Sequence, residues 1–113
     1  MKLPSEAFLL RIFIGESDKS GSKPLHEAIV ESARRQGLAG ATVLRGFLGF
    51  GANSRIHTSK VLRLSKDLPV IVEIVDSEEK IESFLSQLDD LMDDGLVTLE
   101  KVRVIVYRHN LAE

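Results

Sequence analysis

Cysteine is absent from this 113-residue chain, which removes disulfide staples, cysteine-ligated zinc and thiol nucleophiles together. No apolar run approaches the roughly 20 residues that a membrane-spanning helix needs. The amino terminus, Met1-Lys2-Leu3-Pro4-Ser5-Glu6, lacks the apolar core of a secretion signal, so a cytoplasmic protein is expected. A net charge of only −2 gives no bulk field for a polyanion, and no nucleic-acid partner is expected. The phosphate-loop pattern ending in Gly-Lys-Ser/Thr is missing. Gly49-x-Gly51 is a weak fragment of a dinucleotide fingerprint, because Ser54 stands where the third glycine belongs. Rossmann and P-loop enzymes are thereby set aside. What remains, 43% hydrophobic and 28% charged residues, suits one globular domain over residues 1–113.

Apolar periodicity divides the chain into six elements. Ala7 to Ile14 reads as a strand with Phe8, Leu10, Ile12 and Ile14 on one side and Leu9, Arg11 and Phe13 on the other. Both sides are substantially apolar, which places this strand mid-sheet or against another subunit. After a polar turn over Gly15–Ser22, a helix begins near Ser22 or Lys23, with Pro24 in its first turn. Its buried face is Leu25, Ala28, Ile29, Ser32, Ala33 and Gln36, and Gly37-Leu38 ends it. A second strand runs from Ala41 to about Phe50, weakened where Gly49 and Gly51 flank Phe50. A third runs from Leu68 to Val75. The second helix opens at Asp76 or Ser77, buries Ile81, Phe84, Leu85, Leu88, Leu91 and Met92, and closes at Gly95-Leu96. The last strand spans about Leu99 to Tyr107.

Strand, helix and strand therefore occur twice. Right-handed crossovers leave few ways to pair four such strands, and the expected fold is α+β: a ferredoxin-like βαββαβ with a four-stranded antiparallel sheet and both helices on one face. The opposite face is then bare. Its candidates are Leu9, Phe13, Val43 or Leu44, Ile105 and Tyr107, an apolar surface that a symmetric oligomer would cover.

The charge map points to a place for chemistry. From Arg45 to Lys66 there are five basic residues (Arg45, Arg55, Lys60, Arg63, Lys66) and no acidic one, so a +5 segment sits in a body of −7. With the glycines of Gly49-Phe50-Gly51-Ala52-Asn53-Ser54 it reads as a flexible basic loop, about 51–67, able to approach an anion through backbone N–H groups. A solvated hairpin loop is the competing reading, although a loop this long in a small domain favours function. His57, beside Thr58 and Ser59, reads equally as a phosphate contact and as a solvent-facing histidine. His26 and His109 read as surface residues, and the three histidines lack metal-ligand spacing. Asp89-Asp90 and Asp93-Asp94 read first as a solvated face, because no calcium-loop spacing appears. Glu16 and Asp18 form a small acidic turn after the first strand. No nucleophile has a local base, and no catalytic residue is assigned.

Ile14-Gly15-Glu16-Ser17-Asp18 and Pro24-Leu25-His26-Glu27-Ala28-Ile29-Val30 resemble the first half of a PII-like family catalogued as domain of unknown function 190. Gly37-Leu38-Ala39-Gly40-Ala41-Thr42-Val43-Leu44-Arg45-Gly46 continues the likeness. So do Gly49-Phe50-Gly51, Ile56-His57-Thr58, Leu68-Pro69-Val70, Glu73-Ile74-Val75-Asp76 and Gly95-Leu96-Val97-Thr98. The resemblance implies a homotrimer that binds an adenine nucleotide in clefts between subunits. It also implies a loop between the second and third strands that docks onto a transporter or enzyme. By position, Gly49, Phe50 and Gly51 at the loop base and Gly95, Leu96, Val97 and Thr98 after the second helix would line the cleft, with Arg103 or Arg108 reaching phosphates. Arg45, Ser54, Arg55 and His57 join them as ligand candidates from the basic segment.

Two departures stand out. Asp94-Gly95-Leu96-Val97-Thr98 is short and lacks the lysine of the PII phosphate loop, so AMP, ADP or a different anion is a better expectation than a triphosphate. The uridylylated tyrosine of PII proteins has no counterpart, the one tyrosine being Tyr107. The reading is a regulatory ligand-binding module, not an enzyme, with no required cofactor or metal. A trimeric metal-tolerance protein is the alternative, and a small cleft enzyme ranks below it.

Overall fold

The computed structural model describes residues 4–51 and 67–108. The elements are β1 (Glu6–Gly15), β2 (Lys19–Ser20), β3 (Lys23–Pro24), α1 (Leu25–Arg35), β4 (Thr42–Arg45), β5 (Pro69–Asp76), α2 (Glu78–Leu91) and β6 (Leu96–Arg103). The main sheet has the order β4-β5-β1-β6 with every neighbouring pair antiparallel, and β2 and β3 form a separate two-residue hairpin. This is the ferredoxin-like arrangement. Each helix carries the chain between two parallel strands that are not neighbours. The doubly apolar β1 is central, paired on both edges.

Alternation along the strands builds the core. Leu10, Ile12 and Ile14 of β1 lie opposite Ile74, Val72 and Val70 of β5, all on the buried face. Onto them pack Leu25, Ile29 and Ala33 of α1 and Ile81, Phe84 and Leu88 of α2. The other face carries Leu9, Phe13, Ile71, Val75 and Leu44, with Arg11 at its centre. Arg11 bridges two strands, its Nε 2.9 Å from Glu73 Oε2 and its Nη1 3.1 Å from Glu100 Oε1. The hydrogen bond to Glu73 raises the guanidinium pKa further. Of the two expected open-face candidates on β4, the register selects Leu44, opposite Ile71, whereas Val43 lies opposite the buried Val72.

Four expected boundaries move, each for a visible reason. β4 stops at Arg45 and does not reach Phe50, because the next rung faces Pro69. The Gly46 N–H reaches the Pro69 carbonyl at 2.8 Å, but proline has no N–H to return. β6 begins at Leu96 and ends at Arg103, since β1 can pair only from Phe13 back to Glu6; Val104 N–H to Ser5 O, 2.7 Å, is the last bond. Ile105 and Tyr107 thus lie beyond the sheet. At α1, Lys23 and Pro24 belong to the β2–β3 hairpin, so the helix starts at Leu25. Finally, Gly37 (φ +79) closes α1 with Gly37 N–H to Arg34 O and Leu38 N–H to Ala33 O, both 3.1 Å, whereas α2 ends in an extended Met92 three residues before Gly95. The two Gly-Leu pairs do different jobs.

Asp76 joins the halves. This carboxylate is buried, accepts the Ala39 N–H at 2.8 Å and the Ser77 N–H at 2.7 Å, and so ties the α1–β4 turn to the start of α2. Lys80 Nζ adds a 2.9 Å bond to the Gly37 carbonyl.

Candidate functional site

Three segments meet at the carboxyl end of β1. The first is the turn Gly15–Asp18, where the Asp18 carboxylate accepts the Gly15 N–H at 2.9 Å and the Asp18 N–H returns to the Gly15 carbonyl at 3.1 Å. The second is Asp67-Leu68-Pro69. Asp67 has φ +48, a conformation unusual for a residue with a side chain. It is held there by Ser17, whose N–H and Oγ both donate to Asp67 Oδ1, at 3.1 and 2.7 Å. A Cβ on Gly15 would collide with the Asp67 carboxylate, so a larger residue there requires that side chain to move and give up its bonds from Ser17. The third is the corner Asp94-Gly95-Leu96. Gly95 adopts φ +137, and a Cβ on it would stand 2.9 Å from the Phe13 carbonyl oxygen. Close backbone approach of this corner to β1 therefore depends on that glycine.

Between these segments and Phe50-Gly51 lies a cavity of about 440 Å³, within the roughly 300–1,000 Å³ usual for small-molecule sites. Its walls are mainly apolar, from Phe13, Ile14, Phe50, Pro69 and Leu96. Asp18, Asp67 and Asp94 also line it, and among the described residues no lysine or arginine does. Arg45 is engaged in an ion pair, its Nε 3.0 Å from Glu16 Oε2, and neither residue lines the cavity.

The sequence-selected residues divide accordingly. Phe50, Gly51, Gly95 and Leu96 line the cavity together. Gly49 lies against Pro69, with room for a Cβ only at 3.0 Å from the proline Cγ. Val97 and Thr98 are not corner residues: they belong to β6, opposite Ile12 and Arg11. Arg103 pairs with Glu6 at the far end of β6. At about 3.3 Å per residue it lies roughly 23 Å along the strand from Leu96, and Arg108 follows it, so neither meets the cavity of its own chain. Ser54, Arg55 and His57 lie outside the described residues, as do Lys60, Arg63, Lys66 and His109. Asp67, Asp18 and Asp94 were not selected as ligands. Asp18 and Asp94 were legible only as local acidic turns, and Asp67 only as the end of a polar stretch. Among the described residues no group of three or more His, Cys, Asp or Glu is arranged to hold a metal ion, and no helix is long and apolar enough to cross a membrane.

Comparison with known proteins agrees with this architecture. The family model DUF190, described as "Uncharacterized ACR", matches residues 7–104. A UPF0166 protein of Aquifex aeolicus is 44% identical over 97 residues, 86% of this chain and 91% of that protein. A UPF0166 protein of Methanocaldococcus jannaschii is 34% identical over 100 residues, 88% of this chain and 92% of that protein. Among solved structures, a protein described as PII-like signaling from Thermus thermophilus superposes with TM-score 0.61 at 21% identity, covering 88% of this chain and 90% of that one. CPII from Thiomonas intermedia, solved bound to ADP and bicarbonate, superposes with TM-score 0.56 at 18% identity, covering 88% of each chain.

Proposed function

The chain belongs to the DUF190 family, and from that premise we propose that it is a PII-like regulatory protein which binds an adenine nucleotide, AMP or ADP, without turning it over. The observation that carries the reading is the cavity at the end of β1. It is of small-molecule size, is lined by Phe50, Gly51, Gly95 and Leu96, and lies directly beside the start of the basic segment. CPII, which shares the fold, is solved with ADP bound. In this reading the protein is a cytoplasmic homotrimer, assembled through the open sheet face around Leu9, Phe13, Leu44, Ile71 and Val75. Assembly brings a neighbour's Arg103 or Arg108 toward the cavity, whose walls carry no cation among the described residues. Arg45, Gly49, Ser54, Arg55 and His57 complete the ligand set or signal its occupancy. The segment 51–67 carries the response to a transporter or enzyme, a role suited to its four cations against one acid.

Isothermal titration of the purified protein with AMP, ADP, ATP and cyclic AMP tests this directly, with sedimentation run on the same sample. The expected result is saturable heat with AMP or ADP from a trimer. An intact trimer that gives no heat with any of the four overturns the proposal.

A further inference from the structure

Phe47 and Leu48 are 82% and 55% exposed, and Phe47 is the most exposed large apolar side chain among the described residues. β4 ends at Arg45, opposite Val70, so the pair lies past the end of the sheet and outside its open face. Moving both side chains out of water is worth about a hundredfold in affinity to whatever covers them. Positive charge gathers at the same end. β1 leads there into the β2–β3 hairpin, which carries Lys19 and Lys23, the latter paired with Glu31, and the Leu25 N–H ties its close to the Asp18 carbonyl at 2.8 Å. Residues 52–66 hold Arg55, Lys60, Arg63 and Lys66 and no acid. They join the chain at Gly51 and Asp67, so their length alone keeps those charges within about 25 Å of this end. Of the acids here, Glu16 is paired with Arg45, while Asp18, Asp67 and Asp94 line the cavity.

We propose that this end of the protein docks on an anionic lipid surface, with Phe47 and Leu48 as the inserting pair. Apolar side chains enter the boundary between headgroups and acyl chains, and lysines and arginines meet the anionic headgroups. A protein surface would have to match the position of each cation, whereas a fluid anionic surface responds to their sum. The inference goes beyond the nucleotide reading and does not depend on it.

The test is co-sedimentation of the full-length protein with vesicles of phosphatidylcholine alone and of phosphatidylcholine mixed equally with phosphatidylglycerol. The protein should pellet with the mixture only, and about 1 M salt, where the screening length falls to about 3 Å, should release it. Phe47→Ser with Leu48→Ser should weaken binding by about a hundredfold. Lys60→Gln, Arg63→Gln and Lys66→Gln together should do the same, at about fivefold per charge. Both variants should melt within about 2 °C of the wild type and sediment as it does in the absence of lipid. Wild type that stays in the supernatant with both vesicles, or pellets equally with both, overturns the proposal and leaves nucleotide binding, titrated on the same sample, untouched. A serine double variant that dissociates the wild-type oligomer overturns it too, because Phe47 and Leu48 then belong to a contact between subunits.

Discussion

Asp76→Asn, which removes one charge and changes no heavy-atom shape, should cost this domain much of its stability. Both carboxylate oxygens accept backbone N–H groups, Oδ2 from Ala39 at 2.8 Å and Oδ1 from Ser77 at 2.7 Å, in a side chain only 2% exposed. A carboxamide has one acceptor oxygen. Whichever way it turns, its NH₂ must face a backbone N–H, so one bond is lost outright and the other becomes neutral. A hydrogen bond to a charged group contributes about 1.5–3 kcal/mol, and a buried donor left unpaired costs about 1–3 kcal/mol. The two donors belong to the main chain and cannot be mutated away, so no apolar replacement at position 76 relieves them. A net loss of about 2–3 kcal/mol follows, near the bottom of that combined range because the exposed side of the turn can relax toward water. For a chain of this length about 4 °C accompanies each kcal/mol, which gives a melting temperature about 8–12 °C lower. Urea denaturation followed by circular dichroism, at one fixed protomer concentration, should show the midpoint fall with an unchanged slope. Asp76→Ala should be at least as damaging. A loss below about 0.5 kcal/mol for Asp76→Asn would mean that the α1–β4 turn is not held by this carboxylate.

Gly95→Ala should cost about 1–3 kcal/mol, from a residue at φ +137 whose new Cβ would press on the Phe13 carbonyl; thermal melting measures it, and nucleotide titration should show the cavity damaged as well. Leu44→Asp combined with Ile71→Lys should convert the expected trimer to a folded monomer in sedimentation, and a wild type already monomeric at micromolar concentration would refute assembly through that face. Lys23 Nζ lies 2.5 Å from Glu31 Oε1 and holds the Glu31 carboxyl below its ordinary pKa, chiefly through that hydrogen bond. A lowered folded-state pKa stabilises above the unfolded value and the benefit disappears as pH falls through the folded one. The small gap in melting temperature between wild type and Lys23→Met should therefore be present at neutral pH and vanish in acid; a gap that persists there refutes the assignment.

Much of this molecule is written in local pattern. The alternation of Leu10, Ile12 and Ile14 in β1 and the spacing of Ile81, Phe84 and Leu88 in α2 name the buried faces without any knowledge of partners, because side-chain direction has a fixed period in each element. Gly37 announces the end of α1 because only the local backbone decides that cap. Where a boundary depends on a distant strand, the pattern is silent. β4 ends because Pro69, 24 positions beyond Arg45, cannot donate, and β6 starts at Leu96 because Phe13 is there to receive it. The cavity divides in the same way. Phe50, Gly51, Gly95 and Leu96 stand beside glycines that mark sharp turns and could be picked from sequence. Asp18, Asp67 and Asp94 lie in three separate segments, each of which reads alone as an ordinary polar turn. Only the folding of β1, β5 and β6 into adjacent positions brings those three charges around one space, and charge is a property of the assembled wall rather than of any segment in it.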